Sequence, residues 1–161
     1  MKTQLGLICI GAMAAACGPK AKPEAPRPQI KLSVLPAESD AFPKAAEAMT
    51  DLLAKATVAG IDKREVSSVS LEVVQLSIEC VEPSVSCYEA VGKSLSANRL
   101  LFAQISPEGA KPRSKKKPRP LKVVVTLFDV DAGAPHTVEK VYESEKAATA
   151  GIADLVAEAT R

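Results

Sequence analysis

Leu121-Lys122-Val123-Val124-Val125-Thr126-Leu127-Phe128-Asp129-Val130 is the stretch that decides the fold. Its run of β-branched residues predicts the strongest strand of the chain. Asp131-Ala132-Gly133-Ala134 supplies turn chemistry directly after it. Val138–Ser144 then sets Val138, Lys140 and Tyr142 against Glu139, Val141 and Glu143, the alternation of a half-buried strand. Residues 146–160 form a closing helix with Ile152, Leu155, Val156 and Ala159 on one side. Upstream, Arg99–Ile105 is a further apolar strand, and residues 106–120 between the two strands form a long loop with four prolines.

Farther toward the N-terminus, Ile30–Leu35 is a short apolar run that stops at Pro36 and reads as a first strand. Ser39 and Asp40 offer caps for a helix over about Ala41–Ala59, with Gly60 just past its end. Phe42, Ala45, Ala46, Met49, Leu52, Leu53 and Ala56 give that helix one apolar face. Ile61–Val69 holds a second strand. Residues 70–80 fit two patterns. Val69, Val73, Leu76 and Cys80 have helical spacing, while Glu72, Val74, Leu76 and Ile78 fit one face of a strand. The helical reading, with Ser70 near the cap, is preferred. After the break at Glu82-Pro83-Ser84, Ser84 or Ser86 caps a helix over about Val85–Ala97, with Tyr88, Val91 and Leu95 inward. The order β-α-β-α-α-β-β-β-α predicts a single α/β domain over residues 30–161, a mixed sheet packed by helices in two or three layers. No internal repeat is present.

The N-terminus carries a different message. Lys2 precedes an apolar run from Leu5 to Ala16, and Cys17 follows at once. This is a signal-peptide pattern, too short to span a bilayer. Ala14-Ala15-Ala16-Cys17 resembles the lipobox of bacterial lipoproteins. The resemblance implies cleavage after residue 16 and acylation of Cys17, with palmitate among the chains, so the protein is expected on a membrane. Gly18 at the next position favours the outer membrane, facing the periplasm. Residues 17–29 hold four prolines and alternating charge, an extended tether that reaches no more than roughly 40 Å.

Composition excludes some function classes. Lys+Arg 21 against Asp+Glu 19 is nearly balanced, which argues against a nucleic-acid partner. Aromatic residues at 3% and no Trp argue against base stacking. Cys9 leaves with the signal and Cys17 carries lipid. That leaves Cys80 and Cys87, which in an exported chain are expected as a disulfide; two buried thiols are the alternative. A metal site needs more ligands than the single His, His136, and two cysteines offer, and no metal or other cofactor is expected.

Val91-Gly92-Lys93-Ser94-Leu95-Ser96-Ala97-Asn98 leads straight into Leu100-Leu101-Phe102-Ala103-Gln104-Ile105, and Leu127-Phe128-Asp129-Val130 precedes a Gly-containing turn. With the opening strand ending at Leu35-Pro36, the long helix after it and the Cys–Cys spacing, these pieces resemble the α/β domain at the N-terminus of TolB and related envelope proteins. The resemblance covers about residues 30–158. Asn98 stands where that family often has Asp, and the β-propeller that follows in TolB is absent. In that family the domain is a protein-interaction or assembly module. It also looks like the folded part of outer-membrane lipoproteins that activate peptidoglycan synthases.

No nucleophile elbow, zinc-protease helix or glycine-rich phosphate loop occurs. His136, in Ala134-Pro135-His136-Thr137, is expected as an exposed turn residue. Asp129-Val130-Asp131-Ala132-Gly133 begins like a calcium loop but lacks its glycine and its glutamate, so a hairpin turn is expected. One feature is concentrated. Lys111, Arg113, Lys115, Lys116, Lys117 and Arg119 put six positive charges in ten residues, suited to anionic lipid, lipopolysaccharide or an acidic partner; a solvated loop is the plainer reading. Together these features point to a non-enzymatic, membrane-tethered module with an envelope protein as partner. A small-molecule or glycan-binding lipoprotein, or a divergent hydrolase, is the alternative.

Overall fold

The computed structural model describes residues 27–80, 82–109 and 118–161. The elements are β1 (Lys31–Val34), α1 (Pro43–Lys55), β2 (Lys63–Val66), α2 (Leu71–Ser77), α3 (Val85–Ser94), β3 (Arg99–Pro107), β4 (Leu121–Asp129), β5 (Ala134–Tyr142) and α4 (Glu145–Ala159). Their order is the one the sequence predicts. They form one mixed sheet, β2-β1-β3-β4-β5, parallel across β2, β1 and β3 and antiparallel from β3 to β5.

Alternation along β3 explains the layers. Leu101, Ala103 and Ile105 join a core with Leu121, Val123 and Val125 of β4, under α1 and α4. Leu100 and Phe102 point the other way and join Phe128, Leu71, Val74 and Val91, under α2 and α3. Successive strand residues face opposite sides, so a sheet apolar on both sides must be covered on both. The result is three layers. On the second face Tyr88 packs its ring 5.1 Å from Phe102 and 5.5 Å from Phe128.

Two helices start at caps the sequence offers, Ser70 and Ser84, and the closing helix starts at Ser144, which by sequence belongs to the strand before it. Ser70, Ser84 and Ser144 each accept the backbone N–H three residues on, from Val73, Cys87 and Ala147. Helix α1 differs. It starts at Pro43, which needs no N–H at the first turn. Neither Ser39 nor Asp40 caps it; Glu145 at the start of α4 accepts from Lys44 and Ala45 at 2.8 and 3.1 Å. It also ends at Lys55 rather than near Ala59, because Ala56 turns extended and Val58 drops into the core. Gly60, at φ +71°, belongs to the turn into β2.

The strand registers give the sheet two distinct ends. Leu32 is level with Arg99, and Arg99 with Asp129, so β1 and β3 begin where β4 finishes. Ile30 lies at this end, hydrogen-bonded to Asp62 and Lys63. Strand β3 runs on to Pro107, about 26 Å away at about 3.3 Å per residue. There the Glu108 N–H donates to the Pro120 carbonyl at 2.9 Å, closing the base of the segment between β3 and β4.

Candidate interaction surfaces

Helix α2 has two apolar rows and one covered face. Leu71, Val74 and the amide-bearing Gln75 are buried against the sheet. The other row, Val69, Val73 and Leu76, points outward, with Val73 46% and Leu76 57% exposed. The helix is where the sequence places it, but the row at i, i+4, i+7 that announced it is the outer one. Val66, at the end of edge strand β2, is 50% exposed too, but it lies level with Val34 and so on the α1 face of the sheet, apart from this row. A soluble domain rarely leaves residues like those of the row grouped without a use.

The disulfide fixes this helix. Cys80 and Cys87 are bonded, with Cα atoms 5.6 Å apart, joining the residues after α2 to the first turn of α3. Gln75 donates from Nε2 to Cys87 Sγ at 3.3 Å, so the covered face of α2 is tied to α3 as well.

Beside α2 the sheet is partly bare. A ten-residue helix covers about 15 Å, half the length of a nine-residue strand. Gln104, Ser106, Lys122 and Val124 therefore floor an open cleft of about 540 Å³, walled by Glu38, Glu72 and Leu71. Its one cation is engaged: Lys122 Nζ meets Glu139 at 2.9 Å, and that bond with the carboxylate holds the ammonium pKa above its ordinary value. At the other sheet edge, Lys31 reaches Glu65 at 2.8 Å and lowers the pKa of its carboxyl, first by the hydrogen bond and then by charge. Among the described residues no three His, Cys, Asp or Glu side chains gather to hold a metal ion, and no helix is long and apolar enough to cross a membrane.

His136 is exposed, as expected, but it is not in a turn. It sits within β5, paired with Leu127, and its Nδ1 lies 3.1 Å from the Ala159 carbonyl. The turn is shorter than expected. Asp129 Oδ1 accepts from Asp131 and Ala132, and Gly133 takes φ +62°, so the strand restarts at Ala134. The expected hairpin turn is thus there, built by an Asx interaction. Cys17 and residues 1–26 lie outside the described residues, as do Lys111, Arg113, Lys115, Lys116 and Lys117. Arg119 is described, partly buried at the foot of β4. The two features not read from sequence are the outward row of α2 and the open edge of β5. The first had a signal, two apolar rows on a seven-residue helix. The second had a signal in Pro135 and Lys140, since proline and lysine within a strand mark an edge.

No protein-family model matches the chain, and no curated protein matches it. Solved structures similar to it include lipoprotein GNA1162 from Neisseria meningitidis, at 13% identity, covering 79% of this chain and 92% of the other with a TM-score of 0.43. The LpoB C-terminal domain from Salmonella enterica matches at 14% identity over 71% of this chain and 83% of its own, TM-score 0.40. TolB from Acinetobacter baumannii matches at 16% identity over 85% of this chain and 29% of its own, TM-score 0.39. Likenesses of this degree leave fold and function to be argued from the residues of this chain.

Proposed function

We propose that this chain is a lipid-tethered protein of the bacterial envelope, held at the outer membrane by acylated Cys17, that works by binding another protein and catalyses nothing itself. The observation that carries this reading is the outward apolar pair Val73 and Leu76, with Val69 just before it, on a helix stapled in place by Cys80–Cys87. Apolar side chains left half exposed among the described residues suit the centre of a protein interface. The signal and the Ala14-Ala15-Ala16-Cys17 pattern support the anchor, and the positively charged segment from Lys111 to Arg119 supplies a second, salt-sensitive contact with an anionic surface.

A photo-crosslinking residue at Leu76 of the full chain, in the intact envelope, tests the reading. A single envelope protein should be captured, and capture should fail when the crosslinker stands at Asp51, exposed on α1 across the sheet. Val73→Ser should reduce capture while changing stability by no more than about 0.5 kcal/mol, because the residue is already half exposed. No adduct at Leu76, or the same adducts at both positions, would remove α2 as the binding face. An enzymatic role would show instead as a ligand bound in the cleft over Gln104 and Lys122.

A further inference from the structure

The charges around the outward residues of α2 are all of one sign. Over the whole chain acids and bases nearly balance, yet from Glu65 to Gly92 there is no Lys, Arg or His. The same stretch holds Glu65, Glu72, Glu79, Glu82 and Glu89. Glu65 and Glu89 have cations of their own in Lys31 and Lys93. Glu72, Glu79 and Glu82 are exposed, and no described Lys or Arg pairs with them. Glu72 stands one turn before Leu76 on the same side of the helix. Beside it a hollow of about 480 Å³ is lined by Glu72, Glu38, Asp40 and Glu47, with no cation among its lining side chains. Glu79 and Glu82 carry the same charge past the C-terminal end of the helix.

We propose that the α2 face takes a basic amphipathic segment of another protein, its apolar side chains on Val73 and Leu76 and its Lys or Arg side chains on Glu72, Glu79 and Glu82. This rests on the reading of α2 as a binding face and names the chemistry of what it binds. Complementary charge around an apolar centre steers a partner to an interface and rejects wrong ones. The same charges exclude the other occupants. Against α2 of a second copy, two sets of carboxylates would face each other. An anionic membrane surface attracts bases and repels this rim. The chain's own basic stretches, residues 18–29 and 110–120, contain no Leu, Ile, Val, Met or aromatic residue to cover the valine and the leucine. What remains is a segment that presents apolar and cationic side chains together.

The crosslinker at Leu76 of the full chain, in the intact envelope, gives two readouts: the yield of adduct, and the peptide of the partner that carries it. Mass spectrometry should place the adduct in a stretch where Lys and Arg outnumber Asp and Glu and flank apolar residues. Glu79→Lys with Glu82→Lys should lower the yield about tenfold. Both positions lie past the helix, so its N-terminal cap is untouched. Asp51→Lys with Glu158→Lys changes the net charge equally on exposed positions across the sheet, and should leave the yield within about twofold, since charges so far off are screened. Reversing the basic residue of the partner nearest the adduct to Glu should restore capture by the Glu79→Lys/Glu82→Lys chain. Unchanged capture by that chain, or an adduct in an acidic or uncharged stretch, would overturn this inference and leave α2 a face that binds protein. An adduct only to a second copy of this chain, or only to lipid, would overturn it as well. No adduct at all would remove the face and this inference with it. A circular dichroism melt of each variant separates lost binding from lost fold, and the mapping of the adduct stands even where a charge variant melts early.

Discussion

Asn98 shows how much one side chain organises. Its N–H donates to the Lys31 carbonyl, its Oδ1 accepts the Lys31 N–H at 3.0 Å, and its own carbonyl accepts from Val130. Its Nδ2 donates to Asp131 at 3.1 Å. The start of β1, the start of β3 and the end of β4 thus meet on one residue. Asn suits the place because it accepts and donates at once. Aspartate, which the resembling family often has here, would keep the bond to Lys31 but set a carboxylate against Asp131. Asn98→Asp should cost about 1–2 kcal/mol at neutral pH, from one lost hydrogen bond and a like-charge contact. Asn98→Asp with Asp131→Asn should recover most of it, since the donor is restored from the other side. Urea denaturation of the four proteins gives the coupling directly; additive losses would mean the two residues do not interact.

At the scale of elements, legibility followed redundancy. Helices α1 and α4 each present one apolar row, and the sequence assigns the right face: Ala45, Ala46, Met49 and Leu53 are buried on one, Ile152, Leu155, Val156 and Ala159 on the other. Helix α2 offers two rows, and periodicity has no means of choosing between them, since burial depends on where the short helix lands on the sheet. The start of α1 escaped for a similar reason. Its cap, Glu145, comes from about a hundred residues away. His136 was misplaced because Ala134-Pro135 reads as turn, yet proline is tolerated on an edge strand whose N–H faces outward. The Cys80–Cys87 pairing was legible by counting, and its role belongs to this scale. It closes a loop of about eight residues, worth about 2.5 kcal/mol in the chain-entropy account. The double variant Cys80→Ser/Cys87→Ser should lose about that much stability and leave the sheet intact. Because the bond locks α2 to α3, amide exchange should quicken first in Leu71–Ser77. Unchanged exchange there would show that packing alone fixes the outward row.

The whole molecule has a near end and a far end, and they set the geometry of anything it binds. Ile30, where the tether joins, sits at the end where β1 begins; Glu108 and Pro120, which bracket the basic segment, sit about 26 Å away along β3. A tether that reaches no more than roughly 40 Å is still longer than that span, so the domain can turn either end toward the membrane that holds the anchor. Replacing Lys115, Lys116 and Lys117 by Ser tests the electrostatic part. In a Cys17→Ser background, where acyl chains no longer dominate, the parent protein should cosediment with anionic vesicles or lipopolysaccharide at low salt. It should release by about 0.15 M salt, where screening acts over about 8 Å. The triple variant should bind several-fold less and melt within about 2 °C of the parent, since such charges contribute little to a core. Equal binding by both would leave the segment a solvated connection without a surface to contact. A large fall in melting temperature would instead mean that these lysines are part of the packed structure.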